Sequence, residues 1–321
     1  MDYMLRLGAG IVLAFSSLVH AQSDFPNRSV RIVIGQTPGG PTDIPARMLA
    51  QRLSERIGQP FVVENRPGAA SNIGTEIVAR APKDGYTLLM AAPQHVTNLH
   101  LFPNLPFDPV RDFMPVSLVS KAALVLVVNP EVPARTLKEL LEYLRTRPGQ
   151  INWSSAGNGG SGHLALELLR SATGVNVVHV PFKGAQPALA DLVAGRVQAG
   201  FDSIATSEPH AKAGRLRPIA VTSTSRSALL PEVPTVSEAG LPGYEAVGFA
   251  ALLAPAGSPP EAINKLAREV AASLQQTDLR ERLQKIGMEP VGSRPDELAD
   301  YLRAESAKWG KVIREANIRV E

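Results

Sequence analysis

Two glycine-rich runs hold the residues of this 321-residue chain best suited to chemistry. The first is Gly35-Gln36-Thr37-Pro38-Gly39-Gly40-Pro41-Thr42-Asp43, between a short apolar run and a helical pattern. Gly39 and Gly40 let backbone approach a ligand closely. Thr42 is placed to cap the helix, whose first-turn amides and dipole then form an anion site that needs no Lys or Arg. Asp43 complements the same dipole, or contacts a ligand amine or hydroxyl. The second run, Ser154 to His163, reads SSAGNGGSGH and again lies between a strand and a helix pattern. Ligands of open α/β sheets collect at such strand ends. Two such loops facing each other across a cleft suit a carboxylate.

The same residues argue against most enzyme classes. Gly157, Gly159 and Gly162 match a dinucleotide fingerprint, but the acidic residue expected about 20 positions on is missing, and Val180-Pro181-Phe182-Lys183 stands there instead. No Gly-Lys-Ser/Thr forms a phosphate loop, and no G-x-S-x-G elbow presents a serine. The chain has no Cys, so it holds neither a thiol nucleophile nor a thiolate metal site. His163 and Glu167 are one helical turn apart, yet one pair is too few for a metal. No catalytic residue, metal or cofactor is therefore expected. Three further strand-end loops converge on the same face: Ala92 to Asn98, with Gln94 and His95; Pro181 to Pro187, with Phe182, Lys183 and Gly184; and Phe201-Asp202-Ser203.

The elements that must position these loops alternate. Val30–Ile34, Phe61–Glu64 and Tyr86–Ala92 read as strands around helices at Asp43–Ile57 and Asn72–Ala81. Ala123–Asn129 is a strongly apolar strand, and Thr136 with Glu139 forms a capping box for the next helix. Strands at 151–156, 175–182, 197–202 and 216–222 alternate with helices at about 163–173, 187–194 and 208–213. From about Pro259 the pattern is helical, with segments at 262–275, 279–286 and 296–316. The expected fold is α/β, with two lobes joined by strands crossing at 116–128 and 246–254. Lobe 1 takes residues 22–122 and 250–321, and lobe 2 takes 123–249.

Residues 1–21 read as a signal peptide cleaved after Ala21, with Arg6 ahead of an apolar run of about thirteen residues and Val19-His20-Ala21 at its end. A membrane-spanning helix needs roughly 20 apolar residues. The expected product is exported, and without a Cys at the cleavage site it carries no lipid tether. The +3 net charge favours acidic ligands, but Lys and Arg are interleaved with acids and aromatics are only 5% of the chain, which argues against nucleic acid.

Longer stretches resemble the tripartite tricarboxylate transporter receptor family, the Bug-type extracytoplasmic solute-binding proteins. They are PGGPTDIPAR (38–47), VENRPGAASNIGTEIVARAPKDGYTLL (63–89), SAGNGGSGHLALELL (155–169), HVPFKGAQPALADLVAGRVQAGFD (179–202) and LPEVPTVSEAGLPGYE (230–245). The resemblance implies a type II periplasmic binding protein, monomeric, that closes its lobes around a small organic acid. It implies delivery to membrane transporter subunits or to a sensor protein; an exported enzyme acting on such an acid is the remaining alternative. By position it assigns the ligand to Gly39, Gly40, Thr42 and Asp43 in lobe 1. In lobe 2 it assigns Ser155, Asn158, Gly159, Phe182, Gly184 and Asp202. Gln36 and Ala92-Pro93-Gln94-His95 depart from the family pattern, so Gln94 and His95 are expected to touch the variable part of the ligand.

Overall fold

The computed structural model describes residues 25–182 and 184–318. The signal peptide, its cleavage after Ala21, and Lys183 lie outside them. The chain forms an α/β structure around a sheet of ten strands. In chain order the strands are β1 (Val30–Ile34), β2 (Phe61–Asn65), β3 (Thr87–Ala91), β4 (Phe113–Val128), β5 (Asn152–Ser155), β6 (Val178–Pro181), β7 (Ala199–Ser203), β8 (Arg217–Val221), β9 (Val247–Pro255) and β10 (Met288–Pro290). The helices are α1 (Asp43–Ile57), α2 (Asn72–Ala79), α3 (Gln94–Leu101), α4 (Leu137–Arg145), α5 (Ser161–Thr173), α6 (Ala185–Val193), α7 (Ile204–Lys212), α8 (Pro260–Leu274), α9 (Thr277–Lys285) and α10 (Pro295–Glu315).

The sheet runs β2-β1-β3-β9-β4-β7-β5-β6, and β8 and β10 also pair with β4. The long strand β4 explains this order, because it changes partners midway. From Phe113 to Ala123 it runs antiparallel to β9, with β10 against Ser120–Ala122. From Leu124 to Val128 it pairs with β7, and Val125–Val128 also meets β8. Two register shifts near Pro115 and Val119 accommodate a proline, which donates no ladder hydrogen bond. On either side of β4 the remaining strands are parallel: β1 with β2 and β3, and β5 with β6 and β7. Parallel neighbours need helical crossovers, and α1, α2, α5 and α6 supply them.

Apolar burial follows this division. Ile32, Leu49, Leu88, Leu252 and Leu266 form one core under α1 and α8. Val125, Val127, Leu192, Ile204 and Val221 form another under α6 and α7. A third core runs from Leu89 through Phe249 to Trp153 and Leu166, closed by Trp309, Val312 and Ile313 of α10. The C-terminal helix thus packs against α3, β4 and α5.

Three local expectations need correction. The segment Ala92–Asn98 is not a loop: it opens α3 at Gln94. Its polar residues His95, Thr97 and Asn98 are buried, which hides the usual amphipathic signal. Thr42 precedes α1 but its hydroxyl makes no cap bond. At α4, Thr136 Oγ1 accepts from the Glu139 amide, while the Glu139 carboxylate accepts from the Arg135 amide and not from Thr136.

Candidate functional site

A cavity of about 610 Å³ opens at the carboxyl ends of the strands, between the two halves of the sheet. Strands β4 and β9 floor it through Ser120, Ala122, Leu124 and Gly248–Ala250. The N-terminal turns of α1, α3, α5, α6 and α7 line its walls. Each helix start carries partial positive charge, and none of the described lining residues is a Lys, Arg or His.

These helix starts are not equally open. At α1 the Asp43 and Ile44 amides both donate to the Gly40 carbonyl at 3.1 Å, and Pro45 has no N–H. Asp43 is buried; its Oδ2 accepts from the Gly39 amide at 2.9 Å and Arg47 Nε at 2.8 Å, and its Oδ1 from Asn65 Nδ2 at 2.9 Å. Burial pushes this carboxyl up, but the hydrogen bonds from Arg47, Gly39 and Asn65 outweigh it and hold it below the ordinary value. At α7 the Asp202 Oδ2 accepts from the side-chain hydroxyls of Thr206 and Ser207, each at 2.7 Å. At α3 the His95, Val96 and Thr97 amides turn back to Ala92 and Pro93.

Helix α5 differs. Its first intrahelical bond is Leu164 N–H to the Gly160 carbonyl at 2.9 Å, and the Ser161, Gly162 and His163 amides find no acceptor among the described residues. Gly160, Ser161 and Gly162 line the cavity. Gly162 lets this helix start approach β7, since a Cβ there would lie 2.8 Å from the Phe201 carbonyl oxygen. Ala185 and Gln186 at the start of α6 lie beside it on the wall.

Two stacked imidazoles brace the loop before α5. The rings of His163 and His179 lie 4.0 Å apart and nearly parallel, at 9°. His163 Nδ1 accepts from the Gly159 amide at 2.9 Å. His179 Nε2 meets Ser155 Oγ at 2.6 Å, and that oxygen accepts from the Gly157 amide at 3.3 Å. Glu167 stands 3.5 Å from His163 Nε2 and pairs with Arg170. Burial, with the charges of His163 and Arg170, pushes His179 down to about 4, so it is neutral at neutral pH.

Of the residues singled out in the sequence, Gly39, Gly40, Thr42, Gln94, Ser155 and Asp202 come together on the cavity wall. Asp43 lies behind the wall. Asn158 and Gly159 shape the α5 loop from outside the lining. Phe182 and Gly184 tie the neighbouring loop to it through their amides, at 2.9 Å to the Ser155 carbonyl and 3.2 Å to Ala156. His95 is a correction: its ring is 6% exposed, meets the Pro109 carbonyl at 2.9 Å and packs edge-on against Phe113. It belongs to the core and does not reach the cavity; burial pushes it down to about 4. Sequence reasoning missed His179 as a brace, the contact of Gln36 Nε2 with Gln94 Oε1 at 3.3 Å, and the apolar wall of Ile44, Leu124, Phe249, Ile286 and Met288. Gln36 and Gln94 stood at the two departures from the family pattern, which was their signal; the apolar residues had none.

Among the described residues no cluster of three or more His, Cys, Asp or Glu could hold a metal, and no helix is long and apolar enough to cross a membrane.

Residues 45–318 match the model of the tripartite tricarboxylate transporter family receptor. Protein BugT of Bordetella pertussis is 36% identical over 325 residues, covering 99% of this chain and 99% of its own. Among solved structures, an R. palustris protein with adipate is similar with a TM-score of 0.81 at 39% identity, over 92% of this chain and 99% of that one. MatC from Rhodopseudomonas palustris with bound malate is similar with a TM-score of 0.76 at 33% identity, over 90% and 100% of the two chains.

Proposed function

We propose that this chain, which belongs to the tripartite tricarboxylate transporter receptor family, captures a small organic acid by its carboxylate at the open start of α5 and hands it to the membrane subunits of that transport system. The fold is that of a type II periplasmic binding protein, and the chain is a solute-binding receptor. The observation that carries the carboxylate reading is the row of Ser161, Gly162 and His163 amides, without acceptors among the described residues, at the edge of the inter-lobe cavity. A carboxylate accepts from such amides and is further stabilised by the helix dipole. The relatives with adipate and malate agree in ligand chemistry.

In this reading residues 22–122 with 250–321 move against 123–249 as two lobes, with the division at the partner switch in β4. The acid touches α5 and α6 in one lobe and Gly39, Gly40, Thr42 and Gln94 in the other, so it stabilises the closed form by contacts that the open form lacks. No bond is made or broken. The protein acts in the periplasm as a monomer after cleavage following Ala21.

The test substitutes the anion itself. Ser161→Asp places a carboxylate in the first turn of α5, where it competes for the same amides. The variant is expected to fold, with up to about 1 kcal/mol gained from the dipole, and to lose binding of every acid that the wild type takes. A saturating acid raises wild-type stability by roughly 2.7 kcal/mol at one hundred times Kd. Neutral sugars shifting the melting temperature while no carboxylate does so would overturn the reading.

A further inference from the structure

The α5 amides account for one end of the ligand, and the rest of the cavity wall constrains the other. We infer that the acid taken here has an apolar body of about six carbons or more, alkyl or aromatic, and that short hydroxy acids and tricarboxylates are poor ligands. The inference rests on the carboxylate reading and deepens it. Ile44, Phe249, Ile286 and Met288 from one half of the sheet face the cavity along with Leu124 and Leu189 from the other. No Lys, Arg or His is among the described residues lining it. Asp202, the ionisable side chain on that wall, is an acid with one oxygen already committed to Thr206 and Ser207.

A second carboxylate halfway along the ligand would lose water against this apolar wall, and near Asp202 it would meet a like charge. At the far end of a long chain it can stay in the solvent-facing mouth. A hydroxyl mid-body would face leucine, isoleucine or phenylalanine. A methylene there gains from burial, by about fourfold in affinity for each one added. A cavity of about 610 Å³ also lies in the range that accommodates ligands well above four carbons.

The experiment is titration calorimetry of the mature protein with two homologous series, succinate–adipate–suberate and butyrate–hexanoate–octanoate, beside malate and citrate. Affinity is expected to rise with chain length, with adipate roughly fifteenfold tighter than succinate from two further methylenes. Malate and citrate are expected to bind at least tenfold more weakly than adipate. Leu124→Asn is expected to flatten the length dependence to under twofold per methylene. Malate or citrate binding more tightly than adipate, or a flat series on the wild type, would overturn the inference and leave carboxylate capture standing. Failure of every acid in both series would instead overturn carboxylate capture, and the inference with it.

Discussion

The imidazole stack behind the α5 loop makes the protein's stability respond to acid, and the response can be assigned to one residue. His179 titrates at about 4 in the fold against an ordinary 6.5. Its neutral form is therefore favoured in the native state. The stability this confers is fully present above pH 6.5 and is lost as pH falls from there toward 4. The gap corresponds to a ceiling of about 3 kcal/mol at 1.36 kcal/mol per unit. His179 is only part-buried, and solvent screening reduces that ceiling to about 1–2 kcal/mol. The charges that face it are His163 on the stacked ring and Arg170, which oppose protonation, and Glu167, which favours it. The perturbation is His179→Gln, which keeps an amide within reach of Ser155 Oγ but cannot titrate. Urea unfolding of both proteins between pH 7 and 4.5, in buffers free of carboxylates, reads the difference. His95 has the same downward shift and remains in both proteins, so its contribution cancels. The wild type is expected to lose about 1–2 kcal/mol more than the variant over that range. Parallel stability curves would refute the assignment.

Two substitutions test the backbone around the cavity. Gly162→Ala drives a Cβ against the Phe201 carbonyl and pushes the start of α5 off β7. It is expected to cost about 1–3 kcal/mol in a thermal or urea melt and to weaken acid binding at least tenfold. Ala69, Ala70 and Ser71 all hold positive φ, at 45°, 52° and 77°. Ala70→Gly relieves left-handed strain but adds freedom to the unfolded chain, and the net expectation is a gain of about 0.5 kcal/mol, a rise of about 1–2 °C in Tm. A fall in Tm would mean that the Ala70 methyl makes contacts worth more than the strain.

The alternation of strands and helices was legible because buried strands read as apolar runs, VRIVI in the parallel β1 and ALVLVV in the antiparallel β4. Three features stayed hidden for a common reason. Helix α3 buries His95, Thr97 and Asn98, so its inner face does not look apolar. Asn98 Nδ2 donates to the Ala70 carbonyl and to Asn72 Oδ1, partners some thirty residues away that no local pattern can show. Strand β10 is three residues long and exists because β4 offers it an edge. Likewise, the partner switch at Leu124 depends on the ladder with β7 and β8, whereas the sequence there is simply one long apolar run.

The site was legible in its glycines and misleading in its charges. Among the described residues lining the cavity there is no Lys, Arg or His, and the partial positive charge of the helix starts there leaves no mark in net charge. The two conspicuous acids, Asp43 and Asp202, look like ligand contacts, yet each spends its carboxylate within the protein, Asp43 on both oxygens and Asp202 on one. At α1 the Gly40 carbonyl takes the Asp43 and Ile44 amides, whereas the first-turn amides of α5 find no acceptor among the described residues. The distinction between an occupied and a vacant helix start depends on which amide has found a partner, so it becomes visible only when the chain is folded. The same logic explains why Ser161→Asp is the most direct perturbation, because it sets a competing carboxylate beside the first-turn amides of α5.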